Sequence, residues 1–189
     1  MSLLSRTDMT DEQLVEAILR EDAPAQRMLY DKYARRMFGV CLRYAKSKEE
    51  AEDLLQEGFI KVFQKLRSFK AEGSLEGWIR RVIVNTALDY LRQQKITWSE
   101  LESVQEPGEN PKVMEKLGAN ELLAIVQRLP VGFRTIFNLF AIEGYTHKEI
   151  AALLGINEGT SKSQYSRARV QLMNMVQELN KESNLTVKE

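Results

Sequence analysis

The stretch T-H-K-E-I-A-A-L-L-G-I-N-E-G-T-S-K-S-Q-Y-S-R-A-R-V-Q-L, residues 146–172, decides the fold. Thr146 with Glu149 three positions on is a capping box, in which hydroxyl and carboxylate satisfy the backbone donors that a helix start leaves free. Ile150, Leu153 and Leu154 give that helix an apolar face. Gly155 stands where a left-handed C-terminal residue is needed, and Ile156 is an apolar plug before the next helix. Asn157 then caps a second helix that runs through Leu172. At about 100° per residue, Ser161, Tyr165, Ala168 and Leu172 share an inward face, while Thr160, Lys162, Ser163, Ser166 and Arg167 point away and Arg169 lies at the flank. Such charges equally suit a solvated helix of a bundle. Cap, glycine and plug at these spacings together favour a helix-turn-helix, whose second helix needs cations and hydroxyls to meet base edges and phosphates.

The rest of the chain reads as helix throughout. Thr10 and Gln13 form another capping box, opening a short helix with Leu14, Val15, Ile18 and Leu19 on its apolar side. Pro24 sits in the first turn of a long helix carrying Met28, Leu29, Tyr33, Met37, Val40, Cys41 and Tyr44 at helical spacing. Ser47 and Glu50 predict a third capping box, ahead of a helix with Ala51, Leu54, Leu55, Phe59, Val62 and Phe63 inward and Glu52, Asp53, Gln56 and Glu57 outward. The acids of its first turn also suit the helix dipole. F-K-A-E-G-S-L-E-G, residues 69–77, breaks the pattern with two glycines and reads as a loop. Trp78, Ile79, Val82, Ile83, Ala87 and Leu91 resume a helix that also carries Arg80, Arg81, Asn85 and Arg92. The first ~95 residues thus predict a compact helical bundle.

Between Ile96 and Gly118 composition shifts to prolines, glycines and acids, with Glu100, Glu102, Glu106, Glu109 and Glu115 against Lys112 and Lys116; this reads as a flexible acidic linker. From Ala119 a helix runs to Leu129, and Pro130 opens another rich in Phe133, Ile136, Phe137, Leu139 and Phe140, ended by Gly144. The fold class expected is all-α, two small helical domains over 1–95 and 119–189 joined by residues 96–118, the second holding the helix-turn-helix.

Totals narrow the function. The 27 basic and 27 acidic residues cancel, so no overall basic character advertises nucleic acid and binding must come from local patches. One cysteine, Cys41, and one histidine, His147, leave no set for a His/Cys metal site, and Cys41 on an apolar face reads as a buried structural thiol. No run approaches the ~18 apolar residues of a membrane span, and the first ten residues lack a signal-peptide pattern, so a cytoplasmic protein is expected. Neither a phosphate-binding G-x-x-x-x-G-K-[ST] nor a paired-His motif occurs, which speaks against a hydrolase or transferase, and no catalytic residue or cofactor is expected. A stand-alone DNA-binding regulator and a pure protein-interaction module remain as rivals. Trp78 with Arg80 and Arg81 after the glycine-bearing loop suits stacking of an unpaired base and holding of its phosphates, although a core aromatic is the simpler reading of Trp78 alone.

The chain closely resembles the extracytoplasmic-function (ECF) group of bacterial RNA polymerase sigma factors. A-E-D-L-L-Q-E-G-F-I-K-V-F (Ala51 to Phe63) is similar to that group's polymerase-binding helix. W-I-R-R-V-I-V-N-T-A-L-D-Y-L-R (Trp78 to Arg92) is similar to its promoter-melting and −10-reading helix, and residues 143–169 resemble its −35-reading motif. The resemblance implies a transcription initiation factor that docks on core RNA polymerase, directs it to −35/−10 promoters and holds the melted −10 strand. It implies that Asp53, Gln56 and Glu57 face the polymerase, and that Phe69, Lys70, Ser74, Trp78, Arg80, Arg81 and Asn85 border the −10 strand and a flipped base. Thr160, Lys162, Ser163, Ser166, Arg167 and Arg169 would meet the −35 element. The linker would thread toward the active-site cleft, its glutamates mimicking nucleic-acid charge, and an anti-sigma factor is an expected partner. Three positions depart from the group's pattern. Gln164 stands where a basic residue is common, Ser161 where an apolar one is common, and Ser166 where a larger one is common.

Overall fold

The computed structural model describes residues 9–94 and 119–186, and every regular element among them is helical. The order is α1 (Asp11–Leu19), α2 (Ala23–Tyr44), α3 (Lys48–Lys65), a 3₁₀ turn (Leu66–Ser68), α4 (Leu75–Gln93), α5 (Ala119–Gln127), α6 (Val131–Phe137), α7 (His147–Leu154) and α8 (Glu158–Thr186). The expected linker, residues 96–118, lies outside the described residues, and the chain divides into two compact units at Tyr90–Leu91, in the last turn of α4.

In the first unit the helix starts are set by local chemistry. Thr10 Oγ1 accepts from Gln13 N while Gln13 Oε1 accepts from Thr10 N at 2.9 Å, the reciprocal box expected. Asp22 caps α2 by accepting from Ala25 N at 3.1 Å, with Pro24 in the first turn. Ser47 caps α3 through Glu50 N, but the Glu50 carboxylate accepts from Lys46 N at 2.8 Å rather than from the cap residue, so the third box is only half formed. One residue of slack before the cap lets the carboxylate reach past it. Leu29, Tyr33, Met37, Val40, Cys41 and Tyr44 of α2 are buried as their spacing predicts, whereas Leu19, expected inward, is exposed because α1 ends there and Ile18 takes the inward place. Burial pushes the Cys41 thiol up to about 12, so it stays protonated and inert.

Two side-chain ties fix the packing. Tyr33 Oη donates to Asp11 Oδ1 at 2.7 Å, and Lys32 Nζ reaches the same oxygen at 2.8 Å, bolting α2 to the start of α1. Gly58 lets α3 approach α4: a Cβ there would lie 2.3 Å from Ile83 Cδ1. Arg36 on α2 pairs with Glu76 in the first turn of α4 at 2.5 Å.

The second unit closes on Ile125, Val126, Leu129, Phe133, Phe137, Ala168, Leu172 and Val176, so α5, α6 and α8 share one core. α6 is buried nearly all round, and beyond Phe137 the backbone widens into a π-helical turn, Asn138–Ile142. Gly144, at φ 77°, follows that turn, as the sequence led one to expect. Arg134 is buried and donates to Gln127 O at 3.2 Å, satisfying a carbonyl at the end of α5. Among the described residues no helix is long and apolar enough to cross a membrane.

Candidate nucleic-acid interface

The helix-turn-helix is built as its sequence requires. Thr146 Oγ1 accepts from Glu149 N, and the Glu149 carboxylate accepts from Thr146 N at 2.8 Å, which starts α7. Gly155 ends it in the left-handed region at φ 68°. Asn157 Oδ1 accepts from Thr160 N at 2.6 Å and starts α8. Ile156 is half-buried between the two helices.

On α8, Ser161, Ala168 and Leu172 are fully buried and Tyr165 half-buried, so the inward face matches expectation. Lys162 and Ser163 are exposed, while Thr160, Ser166, Arg167 and Arg169 are half-buried along the other faces. Lys162 Nζ pairs with Glu158 one turn earlier at 2.7 Å, which leans the ammonium toward the start of the helix. Ser163 Oγ donates to Thr160 O at 3.1 Å. The face thus offers cations and hydroxyls with an apolar layer beneath it.

That layer contains a group the sequence did not place. His147 Nδ1 lies 2.9 Å from Ser161 Oγ, and its ring stacks on Phe140 with centroids 4.2 Å apart and planes 11° from parallel. Tyr165 packs against both Phe140 and Phe137. Burial first, then the nearby Lys162 charge, hold the imidazole below its ordinary 6.5, with Glu158 opposing. Ser161, a hydroxyl on the otherwise apolar inward face of α8, is explained by this hydrogen bond. Gln164, which stands where a basic residue is common in the family, is buried as well.

In the first unit the loop before α4 forms a second site. Ser74 caps the helix by accepting from Gly77 N at 3.1 Å. Ser68, Phe69, Lys70, Glu72, Gly73, Ser74, Gly77, Trp78 and Arg81 line a pocket of about 310 Å³. Of the residues expected to border an unpaired strand, Phe69, Lys70, Ser74, Trp78 and Arg81 therefore come together. Phe69 and Trp78 are both half-buried, their rings 5.6 Å apart and inclined by 54°, leaving aromatic surface at the pocket wall. Arg80 and Asn85 do not line it. Arg80 follows Trp78 by two residues, about 200° around the helix, and Asn85 lies on the Trp78 side two turns further along. Glu72 also lines the pocket, an acid that sequence pattern does not single out, between two residues of positive φ, Ala71 at 56° and Gly73 at 126°.

Asp53, Gln56 and Glu57 are exposed on one side of α3. Lys61 Nζ pairs with Glu57 at 2.9 Å. One turn beyond Gln56 on the same side, Ile60 is 51 % exposed, an apolar residue that helical spacing alone did not flag. Among the described residues no group of His, Cys, Asp and Glu is arranged to hold a metal ion.

Comparison with known proteins gives two family matches, Sigma-70 region 2 over residues 29–96 and Sigma-70, region 4 over residues 119–172. The chain is 30% identical to the ECF RNA polymerase sigma-E factor of Haemophilus influenzae over 185 residues, covering 90% of this chain and 97% of that protein. It is 29% identical to the ECF RNA polymerase sigma-E factor of Escherichia coli K12, covering 90% and 96%. Among solved structures, the sigma factor RpoE in complex with the anti-sigma factor NepR from Bartonella quintana shares the fold, with a TM-score of 0.51 at 21% identity over 80% of this chain and 96% of that one.

Proposed function

The chain belongs to the ECF group of RNA polymerase sigma factors, transcription initiation factors that work with core polymerase at promoters, and we propose that it divides promoter recognition between its two helical units. Residues 1–95 dock on core polymerase and hold the −10 strand, residues 96–118 tether, and residues 119–189 read the −35 element. Asp53, Gln56 and Glu57 supply the polymerase contact, with acids suited to a basic partner surface. Lys162, Ser163, Ser166 and Arg167, flanked by Thr160 and Arg169, enter the −35 major groove, cations to guanine edges or phosphates and hydroxyls to either.

The pocket shared by Phe69, Trp78, Lys70 and Arg81 carries the reading of −10 capture. An unpaired base stacks on aromatic faces with ~1–3 kcal/mol per base, and flanking cations hold its phosphates. Arg80 and Asn85, outside the pocket, meet the strand as it runs along α4. Strand separation draws on such binding free energy rather than on a catalytic group, so the chain acts without enzymatic activity of its own. Its place of action is the cytoplasm, and group membership makes an anti-sigma factor its expected regulator.

In vitro transcription with purified core polymerase on a genomic fragment library tests this reading. Start sites sharing a −35/−10 pair, obtained only with the chain added, are expected; Trp78→Ala is expected to depress open-complex formation on them. Site-specific duplex binding by the isolated chain, with no need for core polymerase, would favour a stand-alone regulator instead.

A further inference from the structure

The Lys162 ammonium is claimed twice. In the free chain it pairs with Glu158 at 2.7 Å, and it is an exposed cation on the outward face of α8. Turning it to a phosphate or a base edge leaves Glu158 as an uncompensated carboxylate beside a negatively charged duplex. That acid opposes binding unless a second cation comes to face it. His147 is the group placed to supply one. Its ring is seated on three sides: Nδ1 lies 2.9 Å from Ser161 Oγ, the plane stacks on Phe140 with centroids 4.2 Å apart, and the Tyr165 ring lies 5.8 Å away. The Ser161 bond survives protonation, because a hydroxyl donates to a bare Nδ1 and accepts from an Nδ1–H alike. It is the ring's one hydrogen bond among the described residues, so Nε2 stays open to a further partner.

The charges that reach the imidazole are Lys162 and Glu158, both near the start of α8 and opposite in sign. Tyr165, also of α8, and Phe140 of the π-helical turn present aromatic rings. On α7 itself the Glu149 carboxylate is held by Thr146, while Lys148 acts on Glu158. Burial and the Lys162 charge disfavour the imidazolium in the free chain, against the pull of Glu158. Moving Lys162 onto DNA removes one of the two opposing causes and leaves Glu158 to act alone. Resting on the reading that α8 meets the −35 duplex, we propose that His147 takes up a proton from solvent as Lys162 turns to the DNA, its imidazolium replacing the ammonium opposite Glu158. His147 acts here through Glu158 and Lys162, so it is a positioning residue and not a reader of bases. Proton and duplex then favour each other's binding by the same factor. The gain in DNA affinity builds as pH falls through the DNA-bound value of His147 and is complete below its free value, which lies under 6.5.

The test uses holoenzyme assembled from core polymerase and the full chain, with DNA from a promoter that it transcribes. One duplex carries both promoter elements, and a second is cut between them so that the −35 element is absent. The ratio of the two affinities isolates what the −35 duplex adds and cancels the pH response of the polymerase itself. Between about pH 7.5 and about pH 6 this ratio is expected to grow about threefold with the native chain. His147→Phe, which keeps a ring against Phe140 but cannot titrate, is expected to hold the ratio level over the same range. Glu158→Gln, which leaves no carboxylate to compensate, is expected to raise the ratio at neutral pH and to lose most of the gain in acid. A gain retained in His147→Phe, a gain retained in full in Glu158→Gln, or a ratio that falls in acid with the native chain overturns the proposal. Should His147→Phe fail to fold, the Glu158→Gln profile decides by itself. If the −35 duplex adds no affinity at either pH, α8 is not its reader and the proposal falls with that reading. If it adds the same affinity at both, the reading stands and the proposal alone fails.

Discussion

His147 Nδ1 and Ser161 Oγ, 2.9 Å apart, join the first residue of α7 to the first turn of α8 beneath the outward face of α8. The bond sets the two helices of the motif against each other at their N-terminal ends, with Phe140 stacked on the imidazole from below.

Removing that hydroxyl in Ser161→Ala is expected to lower the stability of the second unit by about 1 kcal/mol, the usual net worth of a neutral hydrogen bond. Burial of the imidazole, with the Lys162 charge nearby, predicts a pH dependence as well. His147 titrates below its ordinary 6.5 in the folded protein, so the unfolded chain binds the proton more readily. Stability is full above 6.5 and falls as pH drops below it, toward the lower folded value. Thermal melting across pH should show this slope in the native chain and lose it in His147→Phe, which keeps a ring against Phe140 but cannot titrate.

In the first unit the corresponding tie is Asp11 with Tyr33 and Lys32. Burial raises the Asp11 carboxyl, but the hydrogen bonds from Lys32 and Tyr33 and the Lys32 charge outweigh it and hold the group below 3.8. A depressed carboxylate contributes stability above its unfolded value that is lost as pH falls through the folded one. Asp11→Ala is therefore expected to destabilise by about 1 kcal/mol at neutral pH, discounted from a buried charged bond because the site is partly solvated. The difference from the native chain should vanish in acid, below 3.8; urea melts at neutral and acid pH check both statements.

The crossing of α3 and α4 at Gly58 and Ile83 predicts a steric effect. Ile83 is buried, so its Cδ1 has little room to withdraw from an added Cβ 2.3 Å away. Gly58→Ala gains helix propensity but overpacks the crossing, and a net loss of about 1–2 kcal/mol is expected. The paired variant Gly58→Ala with Ile83→Val, which shortens the clashing arm, should recover part of it. Equilibrium unfolding of the single and double variants decides the point.

What was legible in the sequence is local. Thr10 with Gln13, Thr146 with Glu149, Asn157 and Gly155 act within one helical turn, so their roles followed from spacing alone. The inward residues of α2 and α8 were legible because helical periodicity fixes a face before any partner is known. Glu50 escaped because its carboxylate had two backbone donors within reach, Lys46 N and Ser47 N, and spacing does not choose between them. His147 and Ser161 escaped because their contact crosses the turn of the motif, and Leu19 because periodicity does not say that α1 ends at it. Phe69, Lys70, Ser74, Trp78 and Arg81 line one pocket, whereas Arg80 and Asn85, assigned with them through the family resemblance, do not, and Glu72 reads in the sequence as one acid among many. Its distinction lies in the backbone around it, which composition does not express.

The face of α8 gives the last prediction. Lys162 and Arg167 lie about 140° apart around the helix, bracketing Ser163 and Ser166. Both carry charge that a duplex must meet if the helix enters its groove, and neither belongs to the core cluster of the second unit, so their removal should leave folding intact. Lys162→Ala with Arg167→Ala also frees Glu158 from its ion pair, adding an uncompensated acid at the groove and deepening the loss. Each lost base or phosphate contact is expected to cost about 1–3 kcal/mol, so the double variant should reduce transcription from a −35-dependent promoter by well over tenfold. Binding to core polymerase, measured by co-elution, should be unchanged, since the proposed docking residues Asp53, Gln56 and Glu57 lie on α3. Unaltered transcription by a folded double variant would mean that α8 does not read DNA through this face, and the chain would then have to act through protein contacts alone.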